Sequence, residues 1–213
     1  MPLFNDEIKK QLSAIVSQLE NGVTIVFFTQ EIECPACSDT HSFVQEIAGL
    51  SDRLTLRIYD LVKDSETAAR YGIDKVPAIA LLDNADNDYG IRFYGMPGGY
   101  EINSFLGALL EISGKKQPLA APVAGRIAAI KKDIHMQVFV SLSCPYCPGA
   151  VSTAHRLALE NSHIRADMFE STTFPHLMVK YNVSSVPKTI INETHELIGA
   201  QPIEKFLDIL EKI

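Results

Sequence analysis

The sequence predicts an α/β protein that consists of two tandem units with the same order of strands and helices. Two Cys-Pro-X-Cys motifs, which begin at Cys34 and Cys144, stand 110 residues apart. A Val-Pro dipeptide follows each motif at the same interval, so that Pro187 also lies 110 residues after Pro77. A fixed offset between matching motifs indicates a repeated structural unit, and we therefore expect both units to carry the same fold.

The composition fits this architecture and excludes several classes of partner. The 213 residues are 46% hydrophobic and 21% charged, as is typical of domains that bury a core. The net charge of −7 argues against nucleic acid, whose binding depends on clustered Lys and Arg side chains. The start, MPLFNDEIKKQL, lacks the parts of a secretory signal, and no apolar run reaches the roughly 18 residues of a membrane span. We expect a cytoplasmic protein without nucleic-acid or membrane partners.

The first unit is predicted to alternate helices and strands. TIVFFT, residues 24–29, is an apolar and β-branched segment of the kind found in strands that are buried on both faces. DNADNDYG supplies the residues of a turn between the last two strands. The predicted elements, in chain order, are helix 5–20, strand 23–29, helix 35–49, strand 54–60, helix 65–72, strand 78–83, strand 90–95 and helix 101–112.

The second unit is predicted to repeat this order after a short linker. GKKQPLAAP contains a glycine and two prolines and marks a boundary near residue 116, which divides the chain into residues 1–116 and 117–213. MQVFVS, residues 136–141, corresponds to TIVFFT. The predicted elements, in chain order, are helix 122–132, strand 136–141, helix 145–160, strand 164–168, helix 174–182, strand 187–192, strand 195–199 and helix 202–212.

The position of each cysteine pair indicates redox chemistry. In both units the first cysteine follows a predicted buried strand and opens a predicted helix. Unpaired N–H groups and aligned peptide dipoles place partial positive charge at a helix start, which stabilises a thiolate there. Proline suits the next position because its missing N–H would have had no partner in the helix. Cys34 and Cys144 are therefore predicted to be nucleophiles.

The second cysteine of each motif lies three residues later, within one helical turn of the first. Cys37 and Cys147 are predicted to be resolving thiols, which attack the mixed disulfide formed by the first cysteine and release the reduced product. Run in reverse, the same exchange donates a disulfide. In a reducing cytosol such closely spaced pairs are more often catalytic or metal-binding than structural.

The Val-Pro dipeptides are predicted to form the other half of each site. A proline that opens a strand after a turn is a candidate for a cis peptide bond. Cis bonds at Pro77 and Pro187 would present the backbone groups of Val76 and Val186 towards the cysteines, where an extended substrate could pair with them. Tyr146, inside the second motif, is a further predicted substrate contact, and a simple exposed aromatic is the alternative.

Together these residues resemble a known family. CPAC and CPYC after buried strands, VP 43 residues later, and then GMPGGYE and GAQPIEK before the last helix are similar to the pattern of the protein disulfide oxidoreductases of archaea and some bacteria. Those proteins are tandem thioredoxin/glutaredoxin-like proteins. The chain also resembles the amino-terminal part of the flavoprotein component of alkyl hydroperoxide reductase, and the resemblance covers nearly the whole chain.

The resemblance carries implications for fold and function. It implies two thioredoxin-like units, each with a central four-stranded mixed sheet flanked by helices, and cis prolines at Pro77 and Pro187. It implies thiol–disulfide exchange with protein disulfide or dithiol substrates, with redox-active disulfides and no other cofactor. It further implies electrons from a thioredoxin-reductase-like flavoprotein, and it makes Cys144 and Cys147 the more active pair.

The chain departs from the thioredoxin pattern at one position. Thioredoxins keep a buried acid on the central strand six residues before the first cysteine, where this chain has Phe28 and Val138. Asp60 and Glu170, at the end of the neighbouring predicted strand, share the 110-residue offset and could supply proton transfer to the cysteines. A solvated strand end is the favoured interpretation of both acids.

Two other functions stay open at this point. Within the redox class, the chain could be a dedicated electron carrier between a flavin-dependent reductase and a peroxidase. Outside it, the four cysteines could hold zinc or an iron–sulfur cluster. Zinc sites of this kind place their cysteine pairs about 15 to 20 residues apart, and the six histidines share no metal-ligand spacing, so we predict no metal site.

Overall fold

The computed structural model describes residues 3–213 and divides them into two compact units. Unit 1 comprises the described residues up to Asp88, together with Arg92–Met96 and Leu109–Lys116. Unit 2 comprises Tyr89–Ile91, Pro97–Ala108 and Gln117–Ile213. The first two residues of the predicted first unit lie outside the described residues.

Unit 1 is built on a mixed sheet of four strands in the order β2-β1-β3-β4. The central strand β1 pairs in parallel with β2 and antiparallel with β3, which pairs antiparallel with β4. The strands are β1 (Val23–Thr29), β2 (Leu54–Asp60), β3 (Ala78–Asp83) and β4 (Asp88–Tyr94). The helices in this part of the chain are α1 (Asp6–Val16), α2 (Cys37–Ala48), α3 (Ser65–Arg70) and α4 (Ile102–Ile112), and a 3-10 turn at Gly99–Glu101 precedes α4.

Unit 2 repeats this sheet in the order β6-β5-β7-β8, with β5 parallel to β6 and antiparallel to β7. The strands are β5 (Ile134–Val140), β6 (Ile164–Glu170), β7 (Lys188–Ile191) and β8 (His195–Ile198). The helices are α5 (Ala121–Ala129), α6 (Cys147–Glu160), α7 (Pro175–Lys180) and α8 (Ile203–Leu210). The predicted four-stranded mixed sheet flanked by helices is thus confirmed for each unit.

The central strands hold the cores, as their apolar sequences predict. Phe27 and Phe28 on β1 are fully buried, and so is Phe139 on β5. The Phe139 ring stacks on Phe169 of β6 with a centroid distance of 5.5 Å and lies 5.6 Å from the ring of Tyr181. Side chains on both faces of these strands are buried because helices cover both faces of the sheet.

The predicted ends of β1, β2 and β3 agree with the structure, whereas the helices after the cysteine motifs begin later than predicted. Helices α2 and α6 start at Cys37 and Cys147, two residues after the predicted starts at residues 35 and 145. A tight turn accounts for the difference, because the Cys37 N–H donates to the Cys34 carbonyl at 3.1 Å before the first helical turn forms. The first cysteine of the motif therefore lies in the turn that leads into the helix.

A helix that crosses a bilayer must be both long and apolar. No helix within residues 3–213 combines the two properties.

The aromatic cluster of unit 2 allows a test of the core. Phe139→Ala should lower the free energy of unfolding by about 3 to 5 kcal/mol, because it removes a fully buried ring from between two others. Urea denaturation of the reduced protein would measure the change. Val179→Ala is the matched control, since Val179 is 83% exposed and its loss should change stability by no more than about 0.5 kcal/mol. Equal midpoints for the two variants would contradict this view of the core.

Candidate active site

In unit 1 the two cysteines of the CPAC motif form a disulfide between Cys34 and Cys37, with their Cα atoms 5.3 Å apart. Cys37 is the first residue of α2 and is buried, whereas Cys34 lies in the preceding turn and is partly exposed. An incoming thiolate therefore has access to the sulfur of Cys34 and not to that of Cys37. This difference agrees with the nucleophilic role predicted for the first cysteine.

In unit 2 the CPYC cysteines are free thiols with the same difference in exposure. Cys144 is partly exposed, and Cys147 is fully buried at the start of α6. Burial, with a smaller contribution from a hydrogen bond with Cys144, raises the pKa of Cys147 well above its ordinary value. Cys147 is therefore a protonated thiol at neutral pH, and it must lose a proton before it can attack a disulfide.

Both Val-Pro bonds are cis, as predicted. The Val186 carbonyl faces the first cysteine of unit 2, because the Cys144 thiol points to it with an S–O distance of 3.9 Å. Pro77 and Pro187 are buried at the starts of matching strands, and the carbonyl of each accepts a hydrogen bond from a glycine of the next strand or turn. The structure thus brings together Cys144, Cys147 and Val186, which the sequence had predicted as one site.

The remaining predicted substrate contacts differ in exposure. Tyr146 is the residue before α6 and is 72% exposed, so its ring is open to a partner protein. Val76 and Val186 are half-buried. Substrate contacts at these residues stay a prediction.

Asp60 and Glu170 stabilise the turns that follow β2 and β6. The Asp60 carboxylate accepts hydrogen bonds from the backbone N–H groups of Lys63 at 2.9 Å and Val62 at 3.0 Å, and these bonds lower its pKa. In unit 2 the Glu170 carboxylate accepts hydrogen bonds from the N–H and hydroxyl groups of Thr172 and Thr173. The shared offset of the two acids therefore reflects a repeated turn, and the lowered pKa of Asp60 makes that carboxylate a poor proton acceptor at neutral pH.

A different acid, Glu101, belongs to the site of unit 2. It ends the 3-10 turn that packs with this unit, where the Tyr100 N–H donates to the Leu142 carbonyl at 2.9 Å. Gly99 has a φ of 53°, and a Cβ atom there would collide with the Leu142 carbonyl oxygen. The close approach therefore depends on glycine.

Glu101 is fully buried, and the Ser104 hydroxyl donates to its Oε2. Its Oε1 has no hydrogen-bond partner among residues 3–213. Burial raises the pKa of Glu101 to about 7, and the negative charge of Glu101 in turn raises the pKa of Cys147. An ionisable group with a pKa near neutrality thus acts electrostatically on a buried thiol that must lose a proton.

The sequence patterns did not predict a role for Glu101. The residue precedes the linker, so the repeat assigned it to the first unit, and no strand periodicity points to it. Two signals were present. The central strands lack the acid that thioredoxins keep, and the segment GMPGGYE places an acid directly before the apolar helix α4.

The described part of the chain offers no alternative metal centre. No group of three or more His, Cys, Asp or Glu side chains within residues 3–213 is arranged to hold a metal ion. Cys34 and Cys37 are bonded to each other, so in this state they are not available as metal ligands.

Comparisons with known proteins agree with this geometry. A family model for the thioredoxin domain matches residues 134–212. A structure of the alkyl hydroperoxide reductase protein AhpF from Enterococcus faecalis is 32% identical, with a TM-score of 0.90, over 97% of this chain and 99% of that chain. A protein disulfide oxidoreductase from Aeropyrum pernix is 26% identical, also with a TM-score of 0.90, over 97% of this chain and 92% of that chain.

Curated relatives extend beyond the part that this chain matches. The corresponding alkyl hydroperoxide reductase protein from Pseudomonas aeruginosa is 26% identical over 96% of this chain but only 37% of its own length. A Bacillus subtilis protein named NADH dehydrogenase is 23% identical over the same shares. The chain therefore spans little more than a third of these relatives. The two structural matches each cover 97% of this chain. They show that the chain belongs to the family of tandem thioredoxin-like oxidoreductases that includes AhpF of Enterococcus faecalis and the protein disulfide oxidoreductase of Aeropyrum pernix.

Proposed function

We propose that the chain exchanges disulfides with protein substrates through two centres, Cys34 with Cys37 and Cys144 with Cys147. The observation that carries this proposal is the arrangement in unit 2. An accessible thiol lies beside a buried, protonated thiol, with a backbone carbonyl of the cis-proline loop near the accessible thiol and a buried acid of pKa about 7 acting on the buried one. We propose Cys144 with Cys147 as the more active centre.

The exchange begins with the Cys144 thiolate, which attacks one sulfur of a substrate disulfide. The substrate S–S bond breaks, a mixed disulfide forms with Cys144, and the other substrate sulfur leaves as a thiolate. Cys147 then passes its proton to Glu101 and attacks the Cys144 sulfur. The second substrate thiolate leaves, and the Cys144–Cys147 disulfide retains the oxidising equivalents. The reverse sequence oxidises a substrate dithiol.

The cis-proline loops are proposed to hold the substrate during these steps. The carbonyl of Val186 accepts a hydrogen bond from the Cys144 thiol when no substrate is bound. An extended substrate segment that pairs with the backbone of Val186 would therefore lie across the Cys144 sulfur. Val76 is proposed to act in the same way in unit 1. The exposed ring of Tyr146 would cover one side of the bound segment.

A second candidate function is a dedicated electron carrier. Relatives with the same tandem fold are named as parts of alkyl hydroperoxide reductase, which favours a chain that accepts electrons from a thioredoxin-reductase-like flavoprotein and passes them to a peroxidase. The two functions use the same chemistry and differ in the partner. Reduction of a peroxidase much faster than reduction of insulin would favour the carrier, and equal rates would favour the general oxidoreductase.

We further propose that residues 1–116 and 117–213 each carry one redox centre, with Glu101 of the first segment acting at the centre of the second, and that the cysteines act without another cofactor. The reducing cytoplasm is the proposed compartment, because it keeps a catalytic pair available in its dithiol form.

The roles of the cysteines in unit 2 can be separated by substitution. In a background with Cys34→Ser and Cys37→Ser, we expect Cys144→Ser to reduce insulin no faster than the variant with all four cysteines replaced. Cys147→Ser should instead accumulate mixed disulfides, because the resolving thiol is missing. Turbidity of insulin and mass spectrometry of the acid-quenched protein would measure the two effects. Equal insulin reduction by the wild type and the four-serine variant would refute the proposed function.

The proposed role of Glu101 predicts a pH dependence. In the wild type the resolving step should accelerate as the pH rises through about 7, because Glu101 becomes a carboxylate that can take the proton of Cys147. In Glu101→Gln we expect a resolving step about 100-fold slower near pH 8, with the difference shrinking in alkaline solution where Cys147 ionises alone. Glutathione bound to Cys144 at low pH, followed by a pH jump and acid quench, would give the rates.

A stability measurement separates this role from a structural one. The pKa of Glu101 is raised from 4.5 to about 7 in the folded state, so its neutral form stabilises the fold at low pH and that stability is lost as the pH rises through about 7. Relative to Glu101→Gln, the wild type should lose about 3 kcal/mol between pH 4 and pH 8. Glu204→Gln, which changes an exposed acid in the first turn of α8, is the control and should change neither readout. A normal resolving rate in Glu101→Gln, with the stability difference present, would leave Glu101 with a structural role alone.

A further inference from the structure

A groove of about 380 Å³ in unit 1 is lined by the loop that leads into Cys34. It lies between the loop of residues 30–33, which leads directly into Cys34, and the turn after β2 with Asp60, Val62 and Lys63. We call it the unit 1 groove. A segment of another protein that reaches Cys34 would pass beside it.

Two apolar side chains line the groove and are open to solvent. Ile32 is 75% exposed and Val62 is 72% exposed. Both are β-branched and stiff, so they form an apolar surface that loses little conformational freedom when it is covered. An apolar side chain of a partner would bury surface on both of them.

The charge around this apolar surface is negative. Glu31, Glu33 and Asp60 contribute three carboxylates against the single ammonium of Lys63. Lys63 is already paired with Glu31 at 2.8 Å. Glu33, the residue before Cys34, makes no hydrogen bond or ion pair within residues 3–213. A basic side chain on the partner would therefore find an uncompensated carboxylate next to the reacting sulfur.

Unit 2 has no counterpart to this surface. Its loop between β5 and Cys144 is one residue shorter, with Ser141, Leu142 and Ser143 in place of the four residues QEIE. The equivalents of Val62 and Lys63 are Thr172 and Thr173, whose hydroxyls donate to Glu170. The apolar and acidic character is therefore a property of unit 1 alone, although the turn that carries it is repeated.

We propose that the unit 1 groove selects the partners of Cys34. Its occupant is an extended segment of a partner protein in which the redox cysteine is flanked by an apolar residue and then a basic residue. The apolar side chain covers Ile32 and Val62, and the basic side chain pairs with Glu33. This inference rests on the proposed exchange activity and adds to it a specificity for one of the two centres.

The test isolates Cys34 in the full chain with Cys37→Ser, Cys144→Ser and Cys147→Ser. Three blocked peptides with the cores Lys-Leu-Cys-Leu-Lys, Glu-Leu-Cys-Leu-Glu and Lys-Ser-Cys-Ser-Lys carry 2-nitro-5-thiobenzoate on the cysteine. The Cys34 thiolate attacks the peptide sulfur, the peptide S–S bond breaks, and the coloured thiolate leaves while the peptide remains on Cys34. Absorbance of the released thiolate gives the rate. Each rate is divided by that of the same variant with hydroxyethyl disulfide, which corrects for thiol reactivity.

We expect the Lys-Leu peptide to react about fivefold faster than either of the other two at low salt. The preference over the Glu peptide should largely disappear in about 1 M salt, because exposed charges are screened there. Glu33→Gln should halve that preference. Ile32→Ser and Val62→Thr should reduce the preference for leucine over serine, and Val62→Thr installs the residue of unit 2. Val179→Ala, an equally exposed apolar residue elsewhere, should leave all three rates unchanged.

The outcomes separate this inference from the activity on which it rests. Equal rates for the three peptides would contradict the proposed selection of partners by the unit 1 groove, while the exchange activity of Cys34 would stand. Preferences that persist unchanged in Ile32→Ser, Val62→Thr and Glu33→Gln would contradict this selection as well. If Cys34 reacts with hydroxyethyl disulfide but with none of the three peptides, the result would instead contradict the proposed exchange activity of unit 1 on protein substrates.

Discussion

The chemistry of unit 2 depends on one constraint, the burial of the second thiol of its cysteine motif. Burial places Cys147 beneath Cys144, where it can close a disulfide, but it also keeps Cys147 protonated at neutral pH. A buried thiol cannot give its proton to water directly. The proposed mechanism therefore uses an internal acceptor, and a carboxyl group suits this role when its own pKa is raised towards neutrality, as burial does for Glu101.

The same constraint explains why the acceptor comes from outside the repeated elements. The central strands β1 and β5 carry Phe28 and Val138 six residues before the first cysteines, and both side chains are completely buried. These apolar residues strengthen the cores, and neither central strand supplies an acid to the second cysteine of its motif. In the proposed mechanism Glu101 supplies this acid in unit 2 from a 3-10 turn, whose position depends on the close approach of Gly99 to Leu142.

The sequence was sufficient for those parts of the structure that are set by local patterns. Apolar β-branched runs located β1 and the neighbouring strands, and the repeated Cys and Val-Pro motifs located the site and both cis bonds. Two features could not be predicted in this way. The start of α2 depends on a hydrogen bond between Cys37 and Cys34 that no propensity reports, and Glu101 joins the site through tertiary packing after more than 40 intervening residues.

The repeat also separates what exchange chemistry requires from what recognition requires. Asp60 and Glu170 hold the same turn in the two units, because both carboxylates accept the backbone N–H groups that the turn leaves unpaired. The side chains carried by that turn can differ, since a backbone N–H is available from either residue type. Val62 and Thr172 occupy equivalent positions with opposite polarity. A duplicated scaffold can thus keep one exchange mechanism at both centres while each centre presents a different surface to the proteins that approach it.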